Sequence, residues 1–415
     1  MSEHESIIDK LPLDGERVDV SKFEKTIRLL AVIGGVGLVI SAIILLFTGA
    51  RAEMAYSWLW AFYFFVTIAI GGLFWVLLHN ASNSGWGVVV RRVMEHVASM
   101  VPWMFLFAIP LVFLPGVRNA LYEWMTIDPA HNEVMAAKSG YLNMTFFIIR
   151  MFLYAGILSW IVFQLRRYSI GQDSSGALRP TFSARRFSCG TIPLFALCTT
   201  FMAVDLIMAL DYAWYSTMWG VQIFAGSALS SMALIILTVT FLRKHGYLKE
   251  IVNKEHYHIM GKLMFAFVVF WAYISFSQFF LYWYANITEE TKFFILRNTD
   301  GWYYVSILLV LGHFGLPFLF LLRQQAKKDM RQVCAMCCWI LFMHMVDMYW
   351  LIIPERGPSL THGESLTVSG TFFYDLLAIV TIGCTIGFIF LRTLGKHSIY
   401  PSRDPRLQES IDLLN

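Results

Sequence analysis

Ten stretches of this chain are each apolar for about the 20 residues that an α-helix needs to cross a bilayer. They lie at roughly 29–49, 56–79, 97–114, 141–163, 191–212, 218–241, 263–284, 301–322, 333–353 and 371–391. The apolar runs are continuous and do not alternate, which excludes a transmembrane β-barrel. Lipid cannot satisfy a free backbone N–H or C=O, so helices remain. The expected fold class is an all-α integral membrane protein with ten transmembrane helices. Composition points the same way: 57% of the 415 residues are hydrophobic and only 14% are charged, against about 25% charged in soluble proteins.

The basic residues set the orientation. Of the 32 Lys and Arg, 25 fall in the two tails and in the loops after the second, fourth, sixth and eighth spans, and 6 in the remaining loops. The last one, Arg150, lies inside the fourth span. This bias places both termini in the cytoplasm. Residues 1–28 read as a cytoplasmic tail, 29–391 as the membrane domain and 392–415 as a second cytoplasmic tail. The first tail lacks the apolar segment of a signal peptide. No loop is long enough for a soluble domain. The two longest are Pro115–Gly140, whose ALYEWM predicts a short interfacial helix, and Gln164–Gly190. A net charge of +4 without a long basic run argues against nucleic acid. No Cys-x-x-Cys-His occurs, so no attached c-type haem is expected.

Ionisable groups inside spans are candidate functional residues. Counting ~1.5 Å per residue from the outer ends, Arg150 and Asp205 are about 13 and 10 Å deep, and His344 and Asp347 about 13 and 9 Å. The matched depths of Arg150 and Asp205 predict a buried pair, either a structural clamp or a functional site. His344 and Asp347, three residues apart, share nearly one helix face. His313 lies near mid-membrane. Glu95 and His96 stand where the third span begins, either taking up protons or joining an interfacial salt-bridge cluster with Arg91. The expected relay is His344, Asp347, Asp205, His313, Glu95 and His96, with Tyr273, Ser275, Ser277 and Gln278 holding waters across its gap. Buried acids and histidine both titrate near neutrality. Asp211 and Asp375 lie at the outer boundary within reach of water. His79 and Lys262 snorkel at span ends.

Ala203-Val204-Asp205 in the fifth span is echoed by Met345-Val346-Asp347 in the ninth. Both spans run outward, which suggests two four-helix bundles, helices 2–5 (about 56–212) and 6–9 (about 218–353), flanked by helices 1 and 10.

The seventh span with its flanks, HIMGKLMFAFVVFWAYISFSQFFLYWYANITEET, resembles the membrane subunits of the polysulfide reductase and NrfD type. SWLWAFYFFVTIAIGGLFWVLLHNASNSGW and RRVMEHVASMVPW extend the likeness over nearly the whole chain. It is most similar to the second such subunit of bacterial alternative complex III, a quinol:electron-acceptor oxidoreductase. The resemblance implies ten helices around two four-helix bundles and no cofactor held by this chain. It implies a bacterial inner-membrane location, with haem c and iron–sulfur clusters in partner subunits. Those partners are an iron–sulfur subunit, a homologous quinol-binding membrane subunit and cytochrome c subunits. Proton conduction is implied, and quinol or menaquinol binding near the outer face is the alternative. Enzymatic activity is then a property of the complex.

Two further readings come from the residues. His313 and His344, at similar depth on neighbouring helices, are the only pair suited to ligate a haem b. A repeat with a buried Arg–Asp pair fits a secondary transporter. Cys334, Cys337 and Cys338, with Cys189 and Cys198, lack a second CxxC, and no metal site is expected.

Overall fold

The structure, a computed structural model, describes residues 12, 15–356 and 371–414. Of the tail expected over 1–28, residues 1–11, 13 and 14 lie outside them. The described residues form helices and no strand. Ten helices are long and apolar enough to cross a membrane: α1 Val20–Phe47, α2 Arg51–Ala81, α3 Val88–Phe113, α4 Met144–Ser175, α5 Arg179–Leu210, α6 Trp219–Lys244, α7 Lys254–Ala285, α8 Trp302–Leu322, α9 Met330–Arg356 and α10 Phe372–Leu394. The chain is a multi-pass, all-α membrane protein. Both described ends of the chain lie on one face, called here the terminal face, and the loops after α1, α3, α5 and α7 form the distal face.

The packing closes two rings. Helix α2 packs on α3, α3 on α4, α4 on α5, and α5 returns to α2; α6, α7, α8 and α9 make the second ring in the same order. Helices α1 and α10 pair with each other, and α10 lies against α2. The rings meet where α2 packs on α6 and α9. A Cβ on Gly71 of α2 would collide with the backbone carbonyl of Ser227 on α6. The two backbones therefore touch there, as small residues allow between membrane helices. The Trp75 indole crosses the same seam and donates to the Ala228 carbonyl at 3.0 Å. Gly71→Val forces these helices apart; a loss of about 1–3 kcal/mol is expected in denaturant unfolding of the purified protein.

The Gln164–Gly190 segment is not a loop. Helix α4 continues to Ser175 and α5 starts at Arg179, with the turn made at Gly176 in the left-handed region (φ +61). An apolar window measures where a helix lies in lipid, not where it ends. The Pro115–Gly140 segment does contain a short helix, Pro115–Leu121, followed by a 3₁₀ turn at Glu123–Met125.

Candidate functional site

The seam between the two rings is buried and mostly apolar, and α9 introduces His344 and Asp347 into it. His344 is fully buried and Asp347 is 1% exposed. Their common neighbour is Gly226 of α6: a Cβ there would stand 3.2 Å from His344 Cε1 and 3.8 Å from Asp347 Oδ2. The helix spacing read from the sequence thus brings the two side chains to one place.

Helix α2, in the other ring, supplies the partner of His344. Thr67 Oγ1 lies 2.9 Å from His344 Nε2. The Thr67 hydroxyl is also within bonding distance of the Tyr63 and Phe64 carbonyls of its own helix. Its proton goes to them, so its oxygen accepts from Nε2–H. In that tautomer Nδ1 carries the free lone pair, and Nδ1 has no partner among the described residues.

Asp347 accepts one hydrogen bond, from the Trp271 indole to Oδ2 at 3.0 Å. Its Oδ1 has no partner among the described residues. The other face of Trp271 meets His313, ring centroids 4.1 Å apart and edge to face. Both His313 nitrogens are buried without partners among the described residues. His313 sits in a π-helical segment of α8, Leu309–Gly315, a rare wide turn found mostly at functional sites. Trp339 bonds the Gly312 carbonyl at 2.7 Å, satisfying an acceptor inside that irregular turn.

A cavity of about 400 Å³ adjoins Asp347 in the distal half of the second ring. Trp271, Phe279, Phe293 and Trp350 make its apolar wall, and Gln222, Ser275 and Asp347 add polar points. Its lining residues Phe276, Val310 and Leu311 are more than 60% exposed at membrane depth, so it opens sideways toward lipid between α7 and α8. From its polar side, Gln278 donates to Gln222 at 2.9 Å and accepts from Ser216, at the distal face, at 3.1 Å.

The first ring treats its aspartate differently. Arg150 grips Asp205 with two bonds of 2.7 and 2.9 Å, Tyr154 adds a third at 2.7 Å, and the Arg150 guanidinium also donates to the Tyr141 carbonyl. Every oxygen of Asp205 is occupied by a fixed cation or a phenol. This geometry suits a clamp.

Glu95 stands between Arg91 and Arg92, 3.5 and 3.4 Å from their Nε atoms, and His96 donates to the Phe390 carbonyl. Arg91 also binds Asp404 of the C-terminal segment and Arg92 binds Asp173. These residues form an interfacial ion cluster at the terminal end, well separated along the helices from His344. Asp375 departs from expectation. It is 2% exposed, sealed by Arg356, Ser57 and Tyr349, because the last turn of α9 directs its arginine inward. Asp211 stays accessible beside exposed Lys292.

The haem reading meets a packing obstacle. Thr67 occupies His344 Nε2, leaving Nδ1, beside Gly226, as the ring nitrogen without a partner among the described residues. The cysteines diverge: Cys334 donates to Thr240, Cys337 lies against Met264, and Cys189 and Cys338 are exposed. Among the described residues no three His, Cys, Asp or Glu side chains are grouped to hold a metal ion.

Sequence reasoning missed Thr67, Gly226, Trp271 and Arg297. Arg297 is fully buried, bonding the Trp350 and Leu351 carbonyls at the distal end of α9 and Glu355 beside them. A lone arginine in a short distal loop gave a weak signal, since its importance comes from the helix end it caps. No protein-family model matches this chain, and no curated protein matches it significantly.

Proposed function

We propose that this chain is a membrane subunit of a quinol-oxidising respiratory complex of the polysulfide reductase and NrfD type, seated in a bacterial inner membrane with both termini cytoplasmic. In this reading it scaffolds the complex and conducts protons, while haem c and iron–sulfur clusters reside in partner subunits. The observation that carries the proton role is the pair His344 and Asp347 at the seam of the two rings, with His313 on the far side of Trp271. Four polar atoms of these three residues lack partners among the described residues, and Asp347 lines a cavity. Buried polar atoms are normally satisfied, and exceptions point to a functional role or to water. Waters in the cavity would connect Asp347 to Gln222, Gln278 and Ser216 at the distal face, while Glu95 and His96 would load protons from the terminal face. Asp205, locked to Arg150, contributes rigidity. The test is proton translocation per electron in proteoliposomes of the intact complex, wild type against variants of Asp347 and His344; an unchanged ratio in all of them reduces the chain to a scaffold.

The cavity favours a second reading, in which quinol binds here. Its lateral opening suits a ligand arriving through lipid, its aromatic wall suits a ring, and Asp347 and Ser275 supply hydrogen-bonding groups. A photoreactive quinone analogue is then expected to label α7 and α8 at Phe276, Phe279 or Val310, and Val310→Trp is expected to cut that labelling several-fold. Labelling confined to partner subunits removes quinol from this chain and leaves the proton role standing.

A further inference from the structure

The terminal face carries a second pocket, beside the Glu95–His96 cluster. It lies where the start of α3, the terminal-side end of α4 and the turn after α10 converge, lined by Arg92, His96, Arg166, Leu394, His397 and Ile399. No carboxylate lines it. Arg92 is 3% exposed. Its Nη2 is held by Asp173 and by the Ser169 carbonyl, and its Nε faces Glu95. Its Nη1 is buried with no partner among the described residues. A buried guanidinium N–H left free is costly, and it lies at a pocket whose other ionisable walls are cationic or basic.

The ionisable side chains that line this pocket are all basic, and the acids that hold Arg92, Glu95 and Asp173, lie behind it. Burial, together with Arg166, Arg92, Arg17 and Lys396, holds the His397 imidazole below its usual pKa, as expected where positive charge is already concentrated. The enclosed space is about 10 Å³, enough for one water-sized group. A free phosphate ion cannot be enclosed there, whereas one anionic oxygen of a larger group can enter while the rest stays outside. The level is that of a lipid headgroup. Helix α10 has just left its apolar stretch, and one turn deeper on α4 Phe163 is 63% exposed, facing the acyl region. Basic pockets between membrane helices at this level bind anionic headgroups.

We infer that this pocket is a binding site for an anionic phospholipid of the terminal-side leaflet. One phosphodiester oxygen bonds Arg92 Nη1, and Arg166 and His397 flank the headgroup. A bound lipid would add one more tie between α3, α4 and the C-terminal segment, which Arg92–Asp173 and Arg91–Asp404 already join.

The test uses the full chain in its complex, delipidated in detergent and exposed to phosphatidylglycerol, cardiolipin or phosphatidylcholine, with retained lipid counted by native mass spectrometry. Wild type is expected to retain the two anionic lipids at least about fivefold better than phosphatidylcholine, the discrimination of roughly one cationic contact. Arg166→Gln is expected to reduce that retention about fivefold, and Arg166→Lys to keep it, which separates charge from fold. Arg92 is left intact because it also holds Asp173. Equal retention of phosphatidylcholine, or retention unchanged in Arg166→Gln and His397→Gln, overturns the proposal and leaves a water pocket. Displacement of the lipid by millimolar inorganic phosphate also overturns it, in favour of a free-anion site.

Discussion

Asp347→Asn in the intact complex is expected to lower proton flux by about tenfold or more, the usual scale for removing a positioned acid or base, while electron transfer falls much less. Asparagine keeps the volume and can still accept from Trp271, but it cannot exchange a proton. The same substitution is expected to leave stability unchanged or raised. Among the described residues Asp347 has no cation beside it, only an indole and an unpartnered oxygen, so neutralising it breaks no ion pair and removes the cost of burying an unpaired carboxylate. His344→Gln is the companion variant, because its amide can still donate to Thr67. Proton uptake or release followed with a pH dye, alongside acceptor reduction in the same vesicles, reads both quantities. Full proton flux in Asp347→Asn sinks the relay assignment.

Arg150→Met is expected to do the opposite: destabilise by about 3–5 kcal/mol through an uncompensated buried carboxylate, with no specific loss of protons per electron once the surviving protein is compared. Arg150→Met combined with Asp205→Leu is expected to regain most of that loss, since replacing both members of a buried ion pair by apolar residues is often close to neutral. Unfolding in denaturing detergent measures this for both variants. If Arg150→Met alone is as stable as wild type, Asp205 is not a clamped anion, and its place in the relay is restored. The two aspartates stand on corresponding helices of the two rings, so this pair of experiments separates their roles by what surrounds each one.

The ten spans were legible because lipid imposes a length and a composition on every crossing, and both are read from one window of residues. The two rings were legible from a three-residue echo around Asp205 and Asp347 and from the resemblance of the seventh span. The Arg150–Asp205 contact was legible because two unlike charges at one depth on consecutive helices have few other partners. Thr67 and Trp271 were not legible. Each lies among ordinary membrane residues, and its role depends on which way α2 and α7 are turned toward α9, a matter of packing between segments far apart in sequence. The sealing of Asp375 by Arg356 was hidden for the same reason, as was the wide turn around His313, whose residues carry no local mark beyond Gly312 and Gly315. His344 with Asp347 and Glu95 with His96 form two separate clusters, joined by no chain of side-chain hydrogen bonds among the described residues.

The Thr67–His344 bond has a consequence for how such a chain could have arisen. Thr67 belongs to the first ring, while His344, Asp347 and Trp271 belong to the second. If the two rings descend from one ancestral four-helix unit, a lone copy of that unit would have held the histidine and the acid without the hydroxyl that selects the tautomer. The polar junction is complete only where both units stand side by side. In one polypeptide the two units can differ, one holding its aspartate on an arginine and the other leaving its aspartate without a cation.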